Sequence, residues 1–339
     1  MSPTLPRNHP PLTTPKTGVL LVNLGTPDGH DVKSMRRYLG EFLSDTRVIE
    51  APKWLWWPIL HGIILNTRPK KSGAAYRKIW MTETDESPLR HYTRAQAQEL
   101  APRLEAEGVI VDWAMRYGSP SLAQGIDSLC NRGCQRILLM PLYPQYSAAT
   151  TASVVDKANA HLARLRRQPA TRVLPTFHDE PSYIRALGDS VRAALKDGPE
   201  PDRLLCSFHG MPRETLDKGD PYHCFCQKTA RLLREDLGWP QDRFQVVFQS
   251  RFGPKEWLQP YAEPTVAGLA KEGVKSIAMI SPGFVSDCVE TLEELAIGLR
   301  ETFEENGGDR FTYIPCLNAT PPMIDLLETL ARRELGGWI

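Results

Sequence analysis

RLLCSFHG, residues 203–210, is an apolar run that stops abruptly at a histidine and a glycine. Its apolar residues are continuous rather than alternating, which is typical of a β-strand covered on both faces. Similar segments recur along the chain: GVLLVNLG (18–25), VIVDWAMRYG (109–118), RILLMPLYPQY (136–146), TRVLPTF (171–177), FQVVFQS (244–250), SIAMISPGF (276–284) and FTYIPCL (311–317). Helical patterns separate these segments, and this alternation predicts parallel sheets. Four units followed by four units predict two similar α/β halves.

The length of 339 residues is sufficient for two domains. We expect the first over 17–180 and the second over 181–318, followed by a last helix that starts at Pro321-Pro322. Residues 1–16 are rich in proline and poor in apolar residues, so we expect a disordered arm there.

Composition narrows the range of partners and compartments. The net charge of +1 gives no electrostatic basis for nucleic-acid binding. Seven cysteines, an odd number, favour reduced thiols in the cytoplasm over a disulfide framework. The N-terminus lacks a signal-peptide pattern, and no run reaches the roughly 20 apolar residues that a membrane span needs.

In open parallel sheets, ligands bind beyond the carboxyl ends of the strands. The residues that follow the apolar runs are Leu24–Pro27, Arg116–Gly118, Tyr143–Tyr146, His209-Gly210, Ser250-Arg251 and Phe284–Asp287. This set is aromatic and apolar with few ionisable groups. It therefore predicts a large, flat, mostly apolar ligand rather than a sugar phosphate.

His209 and Glu290 are the candidate catalytic residues, and each has a plainer alternative. His209 is either a base or metal ligand, or a loop histidine bonded to backbone. Glu290 is either functional or the partner of Asp287 in a helix cap. Glu290 and Glu294 share a helix face, where two like charges repel each other, so the acidic cluster favours a functional role. Such carboxylates accept protons or guide a cation.

The remaining motifs are weaker or missing. Cys224 and Cys226 lie close together, but without the spacing of a zinc or iron–sulfur site, so we expect ordinary thiols. The chain has no dinucleotide-binding glycine pattern, no P-loop and no Gly-x-Ser-x-Gly elbow, which disfavours dehydrogenases, nucleotide-binding enzymes and hydrolases.

The segment WLWWPILHGIIL, residues 54–65, is too short to cross a membrane and is followed by basic residues. We interpret it as a surface for peripheral membrane contact through Trp54, Trp56, Trp57 and Ile59. The alternative is a core helix or a wall of the ligand pocket.

Seven ordered segments resemble the ferrochelatase family over nearly the whole chain from Gly18. They are VLLVNLGTPD, YRKIW, AMRYGSPSL, PLYPQYSAATTAS, SFHGMPRETLDKGDPY, FQSRFGPKEWLQPY and SPGFVSDCVETLEEL. The resemblance implies two Rossmann-like domains facing a central cleft, with residues 319–339 returning to the first domain. It also implies that His209 and Glu290 face each other across the cleft.

The same resemblance implies a lyase of heme biosynthesis that inserts ferrous iron into protoporphyrin IX and releases two protons. Leu24, Arg116, Tyr117 and Phe284 then line the porphyrin pocket, while Ser87 and Arg68 hold the propionates. His209, Glu290 and Glu294 are the expected metal contacts. The face of the porphyrin that iron approaches stays open.

Two departures from the family pattern bear on this expectation. Gly298 stands where some relatives have a third acidic residue, and nothing after Cys316 supplies the C-terminal cysteines of relatives that hold a [2Fe–2S] cluster. We expect no cofactor beyond the iron substrate, with an internal cluster at Cys224 and Cys226 as the open alternative.

We expect a cytoplasmic monomer that contacts the inner face of the cell membrane. Two alternatives remain for its function: a related chelatase for another metal or tetrapyrrole, and a non-catalytic tetrapyrrole carrier.

Overall fold

The computed structural model describes residues 14–339. Most of the arm expected over 1–16 therefore lies outside the described residues, and Lys16 already begins the first strand.

Two four-stranded parallel sheets form the framework. The strands are β1 (Lys16–Thr26), β2 (Val109–Gly118), β3 (Cys134–Pro141), β4 (Ala170–Val173), β5 (Arg203–His209), β6 (Phe244–Gln249), β7 (Ser276–Ile280) and β8 (Arg310–Tyr313). The first sheet has the order β2-β1-β3-β4, and the second has the matching order β6-β5-β7-β8. Every apolar run that we identified forms a strand, so the predicted α/β fold class is confirmed.

Helices cover both sheets. The α-helices are α1 (Val32–Leu43), α2 (Lys53–Ile59), α3 (Leu65–Ile79), α4 (Pro88–Leu104), α5 (Leu122–Asn131), α6 (Ser153–Leu162), α7 (Pro181–Leu195), α8 (Arg213–Asp217), α9 (Tyr222–Leu237), α10 (Ala262–Lys271), α11 (Arg300–Glu305) and α12 (Pro321–Leu335). Three segments are π-helical: Leu60–Ile64, Ala148–Ala152 and Glu290–Leu299.

Burial on both faces explains the continuous apolar strands. In β1, Leu20 and Val22 face α5 and α6, whereas Val19 and Leu21 face a larger core that also takes in side chains of β5. Each such side chain stabilises the fold by about 1.5–3 kcal/mol relative to exposure in water. The larger core joins the two halves of the molecule, since it contains residues of both sheets.

The last helix of each half crosses to the other half. Helix α12 follows β8 of the second sheet, yet it packs on α4 and β3 of the first. Its Asp325 lies 2.5 Å from Arg103, at the end of α4. Helix α7 follows β4 of the first sheet and packs on α9, where Arg192 lies 2.6 Å from Asp236. The division at residue 180, with 319–339 assigned to the first domain, stays a prediction.

Over residues 14–339, every helix is either too short or too polar to span a bilayer.

Candidate active site

His209 is the last residue of β5 and is half-buried. Its Nδ1 lies 2.6 Å from the carbonyl oxygen of Gly210. Because a carbonyl only accepts hydrogen bonds, Nδ1 donates, and Nε2 of the neutral ring keeps its lone pair. Gly210 is required here, since a Cβ would lie 2.7 Å from the backbone oxygen of Gln249. The imidazole is thus bonded to backbone and also equipped to act as a base or ligand.

The candidate carboxylates lie on the π-helix Glu290–Leu299, which begins at Glu290. The cap alternative for Glu290 is wrong. The backbone N–H of Asp287 donates to Asn318 Oδ1 at 2.8 Å instead of to Glu290, and the carboxylate of Asp287 accepts from Thr291 at 3.0 Å.

Gln249 connects the histidine to these carboxylates. It is the residue of β6 that pairs with His209 in the second sheet. Its amide nitrogen donates to the backbone oxygen of Glu290 at 2.7 Å, and its amide oxygen accepts from Ser207 at 2.7 Å. One buried side chain therefore ties the end of β5, through β6, to the start of the acidic π-helix.

Ser250 follows Gln249 and contacts the second carboxylate. Its hydroxyl donates a very short hydrogen bond to Oε2 of Glu294. Ser250 has a φ of 63°, a strained conformation for a residue other than glycine. The sequence predicts Ser250 at the rim but gives no role to Ser250 or Gln249. Their position at the carboxyl end of β6 is the feature that could have indicated one.

Burial, together with repulsion from Glu290, raises the pKa of Glu294 to about 7. The hydrogen bond from Ser250 opposes this shift by stabilising the carboxylate. A carboxyl group with such a pKa exchanges protons readily near neutral pH. Glu290 also acts on Tyr76. Burial, and after it the negative charge of Glu290, raises the pKa of the Tyr76 hydroxyl.

Apolar side chains extend from the carboxyl edge of the first sheet toward the π-helix. Leu24 and Tyr117 belong to a cluster that also contains Val289 and Leu292 of the second half. Phe284 follows β7 and is half-buried. The structure thus brings Leu24, Tyr117 and the acidic helix together at one junction.

Arg116 and Tyr117 have partners inside the protein. Arg116 is 8% exposed and forms an ion pair with Asp45, and it also donates to Ser153 Oγ at 2.7 Å. The hydroxyl of Tyr117 donates to the same carboxylate at 2.8 Å. Burial would raise the pKa of Asp45, but hydrogen bonds from Ser153 and Tyr117 and the charge of Arg116 lower it below its usual value. Their assignment to the porphyrin pocket stays a prediction.

Ser87 and Arg68 lie on different helices. Ser87 caps α4, and its Oγ accepts from the backbone nitrogen of Arg90 at 3.3 Å. The guanidinium of Arg68, on α3, lies 3.9 Å from the ring centroid of Phe252 in the loop after β6. Burial lowers the pKa of Arg68. Among residues 14–339, no carboxylate pairs with this cation.

Two cavities are lined by residues of the first half. One of about 630 Å³ is lined by Thr84, Asp85, Glu86, Arg90, Arg94, Asp112, Trp113, Ser119, Pro120, Gln124, Gly125 and Ser128. A smaller one of about 140 Å³ is lined by Thr26, Pro27, Asp28, Ser34, Arg37, Tyr38, Glu41, Gly118 and Ser119. His209, Glu290 and Glu294 line neither of these two cavities.

Cys224 and Cys226 lie in different environments, which disfavours them as joint ligands of one cluster. Cys224 is exposed and Cys226 is buried, since residues two apart on α9 point to nearly opposite sides of the helix. In the described part of the chain, no three His, Cys, Asp or Glu side chains are arranged to hold a metal ion. We therefore derive no step through a cluster.

The tryptophan segment is partly exposed. Trp54 and Trp57 are 78% and 63% exposed. Trp56 is half-buried and donates to the backbone oxygen of Leu43 at 2.7 Å, and Ile59 is also half-buried. Leu55 and Ile63, which the sequence interpretation did not include, are exposed as well.

The fold is that of the chelatases. SirB from Bacillus subtilis, solved with Fe3+, is 10% identical, with a TM-score of 0.56 over 94% of this chain and 95% of its own. CbiX, described as the terminal enzyme of siroheme biosynthesis in denitrifying bacteria, is 15% identical, with a TM-score of 0.50 over 93% and 98%.

The sequence defines the family within that class. The ferrochelatase family model matches residues 16–335. The ferrochelatase of Rhizobium meliloti is 60% identical over 98% of both chains, and that of Agrobacterium fabrum is 58% identical over 99% of this chain and 98% of its own. This chain belongs to the ferrochelatase family, which confirms the prediction of a metal-inserting enzyme over the carrier alternative.

Proposed function

We propose that this chain inserts ferrous iron into protoporphyrin IX, forming protoheme and releasing two protons, as the last step of heme biosynthesis. The nearly full-length match to ferrochelatases carries the reaction. One structural observation supports its location: Gln249 ties the strand that ends in His209 to the helix that begins at Glu290.

Glu290 and Glu294 carry the pyrrole protons away. Two N–H protons leave the ring for each iron inserted, so the site needs a base that also releases protons to water. Glu294 fits this role, because its pKa of about 7 allows both steps near neutral pH. Glu290 precedes it by four residues on the same helix and receives the proton first.

His209 presents iron to the porphyrin nitrogens. Its Nε2 keeps a lone pair because Nδ1 is held by Gly210. Imidazole and carboxylate both suit ferrous iron, and a single protein ligand releases the ion more readily than a complete cage.

Leu24, Tyr117 and Phe284 form the apolar walls of the porphyrin pocket. Leu24 and Tyr117 now contact the cluster of Val289 and Leu292, so porphyrin binding replaces protein–protein apolar contacts with protein–ring contacts. Apolar side chains then contact the porphyrin on both faces. The binding energy from this large surface is available to distort the ring from planarity. Arg116 stabilises this wall through its buried ion pair with Asp45.

Ser87 and Arg68 hold the two propionates. The Oγ of Ser87 already accepts a hydrogen bond, but its own proton is available to a carboxylate. Arg68 is a half-buried cation without a carboxylate in the described part of the chain. Its stacking on Phe252 spans the two halves and must loosen when the porphyrin enters.

An anaerobic assay with purified protein tests the reaction. We expect Fe2+-dependent loss of protoporphyrin IX and formation of protoheme, with slower turnover of coproporphyrin. E290Q should slow insertion strongly while it leaves porphyrin binding, measured by fluorescence quenching, nearly unchanged. Turnover of a corrin precursor with cobalt, but not of porphyrin with iron, would instead identify the other chelatase class.

The exposed apolar face of α2 and the following π-helical segment contacts the membrane. Trp54, Leu55, Trp57 and Ile63 supply the apolar surface, and Lys70 and Lys71 are exposed on the next helix. Interfacial tryptophans with nearby cations bind anionic lipid surfaces. This surface therefore supports reversible binding of the protein to the inner face of the cell membrane.

Co-sedimentation with phosphatidylglycerol vesicles tests this contact. W54E/W57E should remain in the supernatant, whereas I339E, which changes an exposed apolar residue at the C-terminus, should sediment like the unmodified protein. Equal sedimentation of all three proteins would contradict the proposal.

A further inference from the structure

Gln96 is a polar residue at the centre of the molecule. It lies on α4 of the first half and is 0% exposed. Its amide nitrogen donates to Ser286 Oγ at 3.0 Å and to the backbone oxygen of Asn318 at 2.7 Å. Both partners belong to the second half, so Gln96 is a direct polar link across the junction.

Asn318 passes this link to Asp287. Its side-chain nitrogen donates to Asp287 Oδ2 at 2.7 Å, and its side-chain oxygen accepts from the Asp287 backbone nitrogen at 2.8 Å. Asn318 has a φ of 52°, a conformation that asparagine tolerates better than most residues. The bond from Gln96 to its carbonyl therefore holds a strained residue in its bonding position.

Asp287 is a buried carboxylate whose negative charge is held by neutral donors. Besides Asn318, it accepts from Tyr313 at 2.6 Å and from Thr291 at 3.0 Å. Thr291 is the neighbour of Glu290 on the π-helix. Hydrogen bonds thus connect Gln96 to Asn318, Asn318 to Asp287, and Asp287 to Thr291, which is the residue beside Glu290.

We propose that Gln96 is a positioning residue for metal insertion, acting through Asn318 and Asp287 to hold the π-helix so that Glu290 faces the porphyrin nitrogens. The inference rests on the role of Glu290 proposed above. Asp287 lies just before the start of this helix, where Cys288 N donates to Thr291 Oγ1 at 2.9 Å. The bonds from Asn318 and Thr291 to Asp287 therefore fix the position of the helix start. Small errors in the placement of a reacting group are costly, which gives a residue outside the pocket an effect on rate.

The chemistry of Gln96 agrees with this role. Both amide hydrogens are used, while the amide oxygen is buried without a partner in residues 14–339. An unpaired buried oxygen destabilises a fold. An apolar side chain at this position would leave Ser286 Oγ and the carbonyl of Asn318 without these two bonds, so Gln96 contributes both to stability and to the position of Asn318.

Steady-state kinetics of Q96L test the proposal. We expect kcat to fall about 10-fold to 100-fold while the KM for porphyrin stays nearly constant, because the ring-binding walls are untouched. T93V is the matched control: Thr93 is equally buried on α4, but its partner Asn23 belongs to the first half. T93V should lower the melting temperature about as much as Q96L does. The kcat of T93V should nevertheless equal that of the unmodified protein.

Q96E adds a readout that a purely structural residue would not move. Its protonated acid donates one hydrogen bond to Asn318, whereas its carboxylate repels that carbonyl. The ratio of Q96E to unmodified kcat should therefore rise as the pH falls.

A normal kcat in Q96L would overturn the inference, and so would an equal loss of kcat in T93V. If E290Q is impaired in the same assay, the proposed function stands even when the inference fails. A normal E290Q would overturn the role of Glu290 and the inference with it.

Discussion

The hydroxyl of Ser250 donates a hydrogen bond to the carboxylate of Glu294 across the gap between β6 and the π-helix. Burial favours the protonated form of Glu294. The hydrogen bond from Ser250, just after β6, opposes this effect by stabilising the carboxylate. Burial and the charge of Glu290 raise the pKa of Glu294, and the hydrogen bond from Ser250 moderates that rise.

The pH–rate profile reports on this bond. A base must be deprotonated to accept a pyrrole proton, so insertion should slow below the Glu294 pKa of about 7, approaching a tenfold loss per unit. Without the serine bond the carboxylate is less stable and its pKa rises, so S250A should shift this limb to higher pH. Stopped-flow insertion rates between pH 5.5 and 8.5 measure the shift. S250G relieves the strained φ and also removes the hydroxyl, so it should shift the limb like S250A; a profile unchanged in both variants would contradict the assignment.

His209→Ala should lower kcat by at least about 100-fold, the usual scale for a directly acting imidazole. Porphyrin affinity should change little, because apolar contact dominates ring binding. Anaerobic turnover and fluorescence quenching measure the two quantities separately. The control is H161A, whose imidazole bonds Asp127 in the first half. Normal turnover in H209A would remove His209 from the mechanism.

Arg116 should prove to be a stabilising residue as well as part of the pocket wall. R116A leaves the carboxylate of Asp45 buried without its cation, so we expect a loss of about 3–5 kcal/mol in the free energy of unfolding. The double variant D45N/R116M removes both charges and should recover most of this loss. Urea unfolding followed by tryptophan fluorescence checks both values; equal stability of R116A and the unmodified protein would show that the ion pair contributes nothing.

Arg68 should matter for substrates that carry carboxylates. R68A should raise the KM for protoporphyrin by about tenfold, the effect of losing one charge-assisted hydrogen bond, and leave the KM for its dimethyl ester unchanged. F252A keeps the cation but removes its aromatic partner, so it should keep the preference for the free acid. Equal losses on acid and ester in R68A would mean that the arginine only packs.

His178 should make the fold sensitive to acid. It is 6% exposed and stacks on Phe225 at 3.8 Å between ring centroids. Burial lowers the pKa of His178 below its usual 6.5; the negative charge of Asp179 opposes this shift, and the positive charge of Lys228 adds to it. The unfolded chain then binds a proton more readily than the folded one, so stability is complete above about pH 6.5 and is lost as the pH falls.

H178F keeps the stacking and removes the titration. The drop in melting temperature between pH 7 and pH 5 should be smaller in H178F than in the unmodified protein. H61F, which removes an exposed histidine, should keep the full drop. An identical drop in H178F would contradict the prediction.

The sequence was sufficient to predict the strands and the position of His209, because both depend on local pattern. Continuous apolar runs show burial on two faces, and parallel topology makes the strand ends converge. The groups that hold the site together were not predictable in this way. Gln96 and Asn318 are 222 positions apart, and neither belongs to a motif.

The local geometry of the acidic helix also exceeded what spacing could show. Cys288, Leu292 and Leu295 fit an ordinary helical period, yet Glu290–Leu299 is a π-helix. The spacing of apolar residues does not distinguish these two kinds of helix, because both bury one face. Likewise, the carboxylate that pairs with Arg116 comes from a loop whose sequence gives no sign of it.

The exchange of helices α7 and α12 has a mechanical consequence. The backbone passes between the halves once after β4 and again after β8, so two covalent tethers join them side by side. Each half is therefore covered in part by a helix that is continuous in sequence with the other half, and one core spans both. Cleavage of the chain between β8 and α12 would leave α12 held only by non-covalent packing, chiefly on α4, β3 and α7.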